Sequence, residues 1–286
     1  MGGQDTIYKL VADDILGALD KGVIPWVQPW STEGGKLLSQ RNAFTNRLYT
    51  GSNVFALYIA GHSDPRWATF NSIVKAGGRV RKGAKSRAVI MWKFVESEDR
   101  DNPGKFRTVP ILRYYRVINI EDTEGLDLPS NKQPARAAGF DPIVEAETIA
   151  NNYHGPTVSH DGGARAYYRS DSDSIHLPPK YTFNDAGGYY GTLFHELSHS
   201  TGHKSRLDRL QGNGPFGSCG YGREELIAEF SAAYLSATAG IDGRTIDNPA
   251  AYIASWKRTI RADTRCVVVA AGRAQKSADY VLGLNQ

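Results

Sequence analysis

The segment of this chain best suited to chemistry is His195-Glu196-Leu197-Ser198-His199. Two histidines four residues apart on a helix project from one face and can share a metal ion. Glu196 reaches the rim of the same site, where it is the expected catalytic general base toward water polarised by the ion. The bland alternative is a pair of surface histidines beside a solvated Glu. The apolar neighbours Leu193, Phe194 and Leu197, which can seat the helix in a core, argue against it. A tetrahedral site that keeps one position open needs a third ligand. His203 lies one turn after His199, but Gly202 should end the helix first, which leaves His203 at the rim as a substrate contact, a group behind the ligands or an alternative ligand. Glu225 and Glu229 are also four apart on one face of a later helix. Glu229 is flanked by Leu226, Phe230 and Ala233, and a carboxylate beside such a face needs a reason to be there. Glu224 and Glu225 suit the positive end of the helix dipole. Glu229 is therefore the expected third ligand with His195 and His199. Glu225 is expected to orient a ligand histidine or to serve as the alternative ligand. Two imidazoles and a carboxylate lean to zinc and tolerate manganese. Tyr167, Tyr168, His176, Tyr189 and Tyr190 lie close by in sequence, but packing is the commoner role for such groups.

A second constellation is basic. The 286 residues carry 34 Lys and Arg against 30 Asp and Glu, a formal charge of +4. Residues 1–143 hold 20 against 15, a net of +5, and residues 144–286 hold 14 against 15, a net of −1. The run 66–93 has no carboxylate and eight basic side chains: Arg66, Lys75, Arg79, Arg81, Lys82, Lys85, Arg87 and Lys93. Trp67 and Trp92 lie within it, and Trp26, Trp30 and Arg41 lie upstream. Cations neutralise phosphates, and planar rings stack on unpaired bases, so this mixture favours single-stranded DNA over duplex. The competing readings are a solvated basic face and core tryptophans. No P-loop, zinc knuckle or helix-turn-helix spacing is present.

The elements that must position these groups follow from periodicity. Residues 5–20 carry Ile7, Leu10, Val11, Ile15 and Leu19 at helical spacing. Helices are expected at 53–61, capped by Asn53, and at 67–76. Strands are expected around the Gly83 turn, at 87–95 and at 106–120. That makes the first half α+β with an antiparallel sheet. The polar span 122–142, rich in Pro and Gly, reads as a linker, which divides the chain into 1–135 and 143–286. The second half should contain a helix at 143–153, strands at 164–169 and 173–178, and helices at 189–201, 223–239, 249–262 and 264–282. Two cysteines exclude a disulfide framework and suggest a cytoplasmic protein. No apolar run is long enough to span a bilayer, and the acidic N-terminus does not resemble a signal peptide.

The order of local motifs carries a family resemblance. In the first half it rests on Pro25-Trp26, Pro29-Trp30, Arg41-Asn42, Asp64-Pro65-Arg66-Trp67, Val80-Arg81-Lys82-Gly83 and Trp92-Lys93-Phe94. In the second half it rests on Ile175-His176-Leu177-Pro178-Pro179, on the 195–199 block running into Thr201-Gly202-His203, and on 223–229. The chain resembles the ArdC antirestriction proteins of conjugative plasmids, which are related to TraC-type primases. Ser200 departs from the Trp common among relatives. The resemblance implies a single-stranded DNA-binding domain followed by a zincin-like metallopeptidase domain. It implies protection of incoming plasmid DNA from host restriction, with a protein substrate or restriction component as a further partner. The family pattern keeps both Glu225 and Glu229.

Overall fold

A computed structural model describes residues 3–27, 37–99, 102, 104–129, 141–161, 163–210, 219–241 and 249–284. The chain starts with α1 (Gly3–Leu19), whose stripe of Ile7, Val11, Ile15 and Leu19 is buried. Then come β1 (Arg41–Asn42), α2 (Ser52–Tyr58), β2 (Arg66–Thr69), α3 (Phe70–Lys75), β3 (Arg79–Val80), β4 (Arg87–Glu98), β5 (Phe106–Asn119) and β6 (Thr123–Glu124). One sheet has the order β1-β2-β5-β4, with β1 and β2 parallel and the other pairs antiparallel. β3 and β6 form a separate antiparallel pair. This is the α+β half that the sequence pattern predicts.

Two local expectations change. The 67–76 stretch is not one helix. It is strand to Thr69, whose hydroxyl accepts from Ser72 N and starts α3 at Phe70. Asn53 does not cap α2, because Gly51 occupies that position. Instead its side-chain amide pairs with the open edge of β4: Ile90 N donates to Oδ1 at 2.7 Å, and Nδ2 donates to Ile90 O at 2.8 Å. A side chain thus satisfies backbone groups that an edge strand leaves unpaired.

The second half contains α4 (Pro142–Asn152), β7 (Thr157–Ser159), β8 (Tyr167–Arg169), β9 (Ser174–His176), α5 (Ala186–Ser200), α6 (Cys219–Ala239), α7 (Pro249–Ala262) and α8 (Cys266–Val281). β7 adds a strand that the sequence pattern does not show, pairing parallel to the central β9. Asp185 caps α5 by accepting from Gly188 N at 2.7 Å. Among the described residues, no helix is long and apolar enough to cross a membrane.

The hydrophobic core is continuous across the division expected near 130–143. α1 and α2 contribute Ile15 and Phe55 to the same buried cluster as Phe230, Tyr234 and Trp256 of α6 and α7. Phe55 lies 4.7 Å from Phe230 and 5.3 Å from Tyr234, ring centre to ring centre. The Tyr234 hydroxyl donates to Gly51 O at 3.1 Å.

Candidate metal centre

The site forms where α5 packs against α6. On α5, His195 and His199 turn their Nε2 atoms toward each other at 3.1 Å. On α6, Glu225 places Oε2 3.6 Å from His195 Nε2 and Oε1 3.6 Å from His199 Nε2. One ligand atom from each of these three residues lies within 4.8 Å of the others. With ligand distances of about 2.0–2.1 Å, tetrahedral coordination sets donors roughly 3.3 Å apart. The three side chains therefore fit one divalent ion with little movement, and they form a metal-binding triad.

The expected third ligand, Glu229, is elsewhere. Its Oε1 lies 3.4 Å from His195 Nδ1, on the opposite edge of the ring from the triad. His195 Nδ1 is fully buried and lacks an aligned hydrogen-bond partner, so Glu229 acts on it as a nearby charge. Glu225 and Glu229 exchange the roles that the sequence suggested. Both lie on one face of α6, and the axial offset between α5 and α6 decides which one meets the two Nε2 atoms. His203 does not join the triad; its Nδ1 pairs with Ser205 Oγ at 2.7 Å. Glu196 is buried on α5, adjacent to His195.

Three further side chains, in roles that the sequence did not reveal, complete the site. Glu224 Oε1 sits 3.3 Å from His199 Nδ1 and accepts from Arg209 Nη2 at 2.9 Å. Each ligand histidine thus has a carboxylate behind it, and the hydrogen-bonded one, Glu224, has the arrangement that fixes ring orientation and raises ligand basicity. Arg209 also donates to Ser198 O and Thr201 Oγ1, so it ties the end of α5 to α6. Gly202 lets this loop fold back, since a Cβ there would lie 2.8 Å from Leu210 and 3.1 Å from His199 O. Tyr221, one turn before Glu225, hydrogen-bonds the Glu225 carboxylate. Its i, i−4 spacing was the available signal.

The electrostatics match this geometry. Burial alone would lower the His199 imidazole. The hydrogen bond to Glu224, with Glu225 and Glu196 nearby, outweighs it and raises His199 to about 9. Burial would raise Glu225, but the two imidazoles and the Tyr221 hydroxyl hold it down to about 2. Burial and the Glu225 charge push the Tyr221 phenol up.

The nearby aromatic and histidine candidates lie outside the triad. His176 on β9 pairs with Asp161 at 2.7 Å and Ser174 at 2.9 Å, and the Tyr167 ring stacks on it. Tyr168 donates to Asp173, and Tyr189 and Tyr190 are buried.

The basic constellation is partly corrected. Trp67 is 0% exposed, on a strand held between β1 and β5, and its Nε1 donates to Gln40 Oε1 at 2.6 Å. Trp26 is 4% exposed, 4.7 Å from Phe230 and 4.9 Å from Trp256. Both rings pack in cores and cannot stack on a base. Trp30 lies outside the described residues. Arg66 is held by Asp64, with Nη2 to Oδ2 at 2.7 Å. Arg41 bonds Ser39 O and Asn46, and Arg87 faces Asp14 at 3.8 Å. Arg79 and Arg81 share Glu124, each at 3.5 Å, and stay exposed. Lys75, Lys82, Lys85, Trp92 and Lys93 are exposed.

Comparison with known proteins agrees with this architecture. The model of the N-terminal domain of anti-restriction factor ArdC matches residues 5–118, and a zincin-like metallopeptidase model matches 145–273. An uncharacterized protein of Sinorhizobium fredii, y4eC, is 31% identical over 96% of this chain and 91% of its own length. Two proteins described as DNA primase TraC from Escherichia coli are 35% and 36% identical. The chain spans only 27% and 20% of their lengths. Crystal structures of the antirestriction ArdC protein from plasmid R388, metal-free and Mn(II)-bound, superpose with a TM-score of 0.74 at 33% identity. The match covers 96% of this chain and 96% and 97% of theirs. With its sheet domain, its helical zincin-like region and its His-His-Glu triad, the chain belongs to the ArdC antirestriction family.

Proposed function

We propose that this protein binds single-stranded DNA and protects incoming conjugative plasmid DNA from host restriction in the cytoplasm. A divalent ion held by His195, His199 and Glu225 is proposed to stabilise the fold. The observation that carries this reading is the match, over nearly the whole of both chains, to an antirestriction protein also crystallised with Mn(II). Zinc is the expected ion for the donor set, and manganese fits it. A structural role suits ligands that come from two different helices, because ion binding then contributes directly to folding. Glu224 and Glu229 orient the two histidines, and Arg209 holds Glu224. Arg79, Arg81, Lys82 and Lys85, exposed around the Gly83 turn, are proposed phosphate contacts.

The position of Glu196 supports a second reading, peptide hydrolysis. A bound ion would supply Lewis acidity. Glu196, beside the ligand His195, would take a proton from the attacking water and pass it to the departing amine. The substrate in that case is a protein, such as a restriction component.

Fluorescence anisotropy with a labelled single strand and a duplex of equal length tests the DNA reading. Tighter binding to the single strand is expected, with log K falling linearly in log salt. Absence of binding at low salt would reject it.

A further inference from the structure

β4 and β5 pair over twelve registers, from Arg87 opposite Val117 to Glu98 opposite Phe106. Opposed residues share a face, and faces alternate along each strand. Only the base of this ribbon is covered: Val89 and Val117 pack on Leu57 and Trp67, and Leu112 enters the main core. Beyond it, side chains on both faces are largely exposed. A bare two-stranded ribbon is marginal in water, and exposed apolar surface along one marks an interaction site.

The two faces differ in charge. The register puts Arg113 opposite Met91, Lys93 opposite Ile111, and Arg107 opposite Ser97, all on one face. That face has no carboxylate along its whole length, while Glu96 and Glu98 lie on the other. Among the described residues, Lys93, Arg107 and Arg113 have no carboxylate partner. This contrasts with Arg66 on Asp64 and with Arg79 and Arg81 on Glu124. Met91 and Tyr115, 41% and 45% exposed, lie among these cations on the same face. Arg113 and Arg107, six residues apart on an extended strand, mark a track of roughly 20 Å.

We infer that this carboxylate-free face of the β4–β5 ribbon is a contact surface for single-stranded DNA. Lys93, Arg107 and Arg113 meet phosphates, and the Tyr115 ring meets a base. The inference rests on the single-strand reading above and adds a surface that lies largely outside the 66–93 run. Its partner is a polyanion because every charged side chain on the face is a cation, and a single strand because its ring is available for stacking only to an unpaired base.

The test is anisotropy across a salt series with five forms of the full chain: wild type, K93Q/R107Q/R113Q, Tyr115→Ala, Trp92→Ala and Phe94→Ala. Near-UV circular dichroism and the urea midpoint confirm that the variants fold. Removing three phosphate contacts should flatten the salt slope by about 2, at about 0.7 per phosphate on a single strand. Tyr115→Ala should weaken binding about fivefold or more with the slope unchanged. Wild-type slope and affinity in the folded triple variant would overturn the inference while leaving the single-strand reading intact. A wild type that binds no single strand would overturn both. If only Trp92→Ala and Phe94→Ala on the opposite face weakened binding, the surface would be assigned wrongly.

Discussion

Replacing Glu225 by Gln should cost the protein more than about 100-fold in Mn2+ affinity, and Glu229→Gln about 10- to 100-fold. Glu225 is the carboxylate whose oxygens lie 3.6 Å from both Nε2 atoms, so its loss removes a ligand and a charge from the triad. Glu229 meets His195 at the far edge of the ring, 3.4 Å from Nδ1. Its loss leaves the donor set complete and loosens one ring. Groups that orient a ligand histidine are typically worth 10- to 100-fold in metal affinity. That is about 1.4–2.8 kcal/mol at 1.4 kcal/mol per tenfold. Glu224→Gln should fall in the same range, because Glu224 stands behind His199 as Glu229 stands behind His195. Competition against a calibrated chelator at pH 7 measures all three variants on one scale. A Glu229 variant that loses as much affinity as the Glu225 variant, or more, would refute the ligand assignment.

Three further outcomes are expected. Arg209→Met leaves the buried Glu224 carboxylate with His199 as its remaining partner and should lower stability by about 1–3 kcal/mol in urea unfolding; no measurable loss would show that the pair is not holding α6. Phe55→Ala should cost about 3–5 kcal/mol and lower a single calorimetric transition, because its ring packs on Phe230 across the two halves. Two separate transitions, with only one displaced, would contradict the shared core. The Arg206 hydrogen bond holds the Asp173 carboxyl below its ordinary 3.8. The stability it contributes is therefore full above pH 3.8 and lost as the pH falls through the depressed value. Asp173→Asn should be less stable than wild type at pH 6, and the two should converge in acid; a pH-independent difference would exclude the ion pair as the cause.

Residues whose roles depend on local spacing were legible in the sequence. The 195–199 helix, its end at Gly202 and the helices of the second half follow from periodicity and breakers, and α5 to α8 lie close to their expected bounds. Roles set by long-range packing were not legible. Trp26 and Trp67 have the residue type of stacking groups, and only the docking of α2, α6 and α7 around one and of β1 and β5 beside the other shows that they are enclosed. Glu225 and Glu229 share one helical face, so sequence alone leaves their roles interchangeable. Asn53 has the type of a cap, yet β4, which follows much later in the chain, brings it an unpaired strand edge. Arg209 gave no signal, because its partner Glu224 is reached only through the folded loop after Gly202.

The most direct test of the whole account is conjugal transfer of a plasmid carrying this chain into restricting and non-restricting recipients. Wild type is compared with Glu196→Gln, with metal content and single-strand affinity measured on the purified proteins. If the ion stabilises the fold and DNA binding provides the protection, Glu196→Gln should protect as well as wild type. Loss of protection by a Glu196→Gln protein that still holds its metal and its DNA would contradict the account and establish hydrolysis instead.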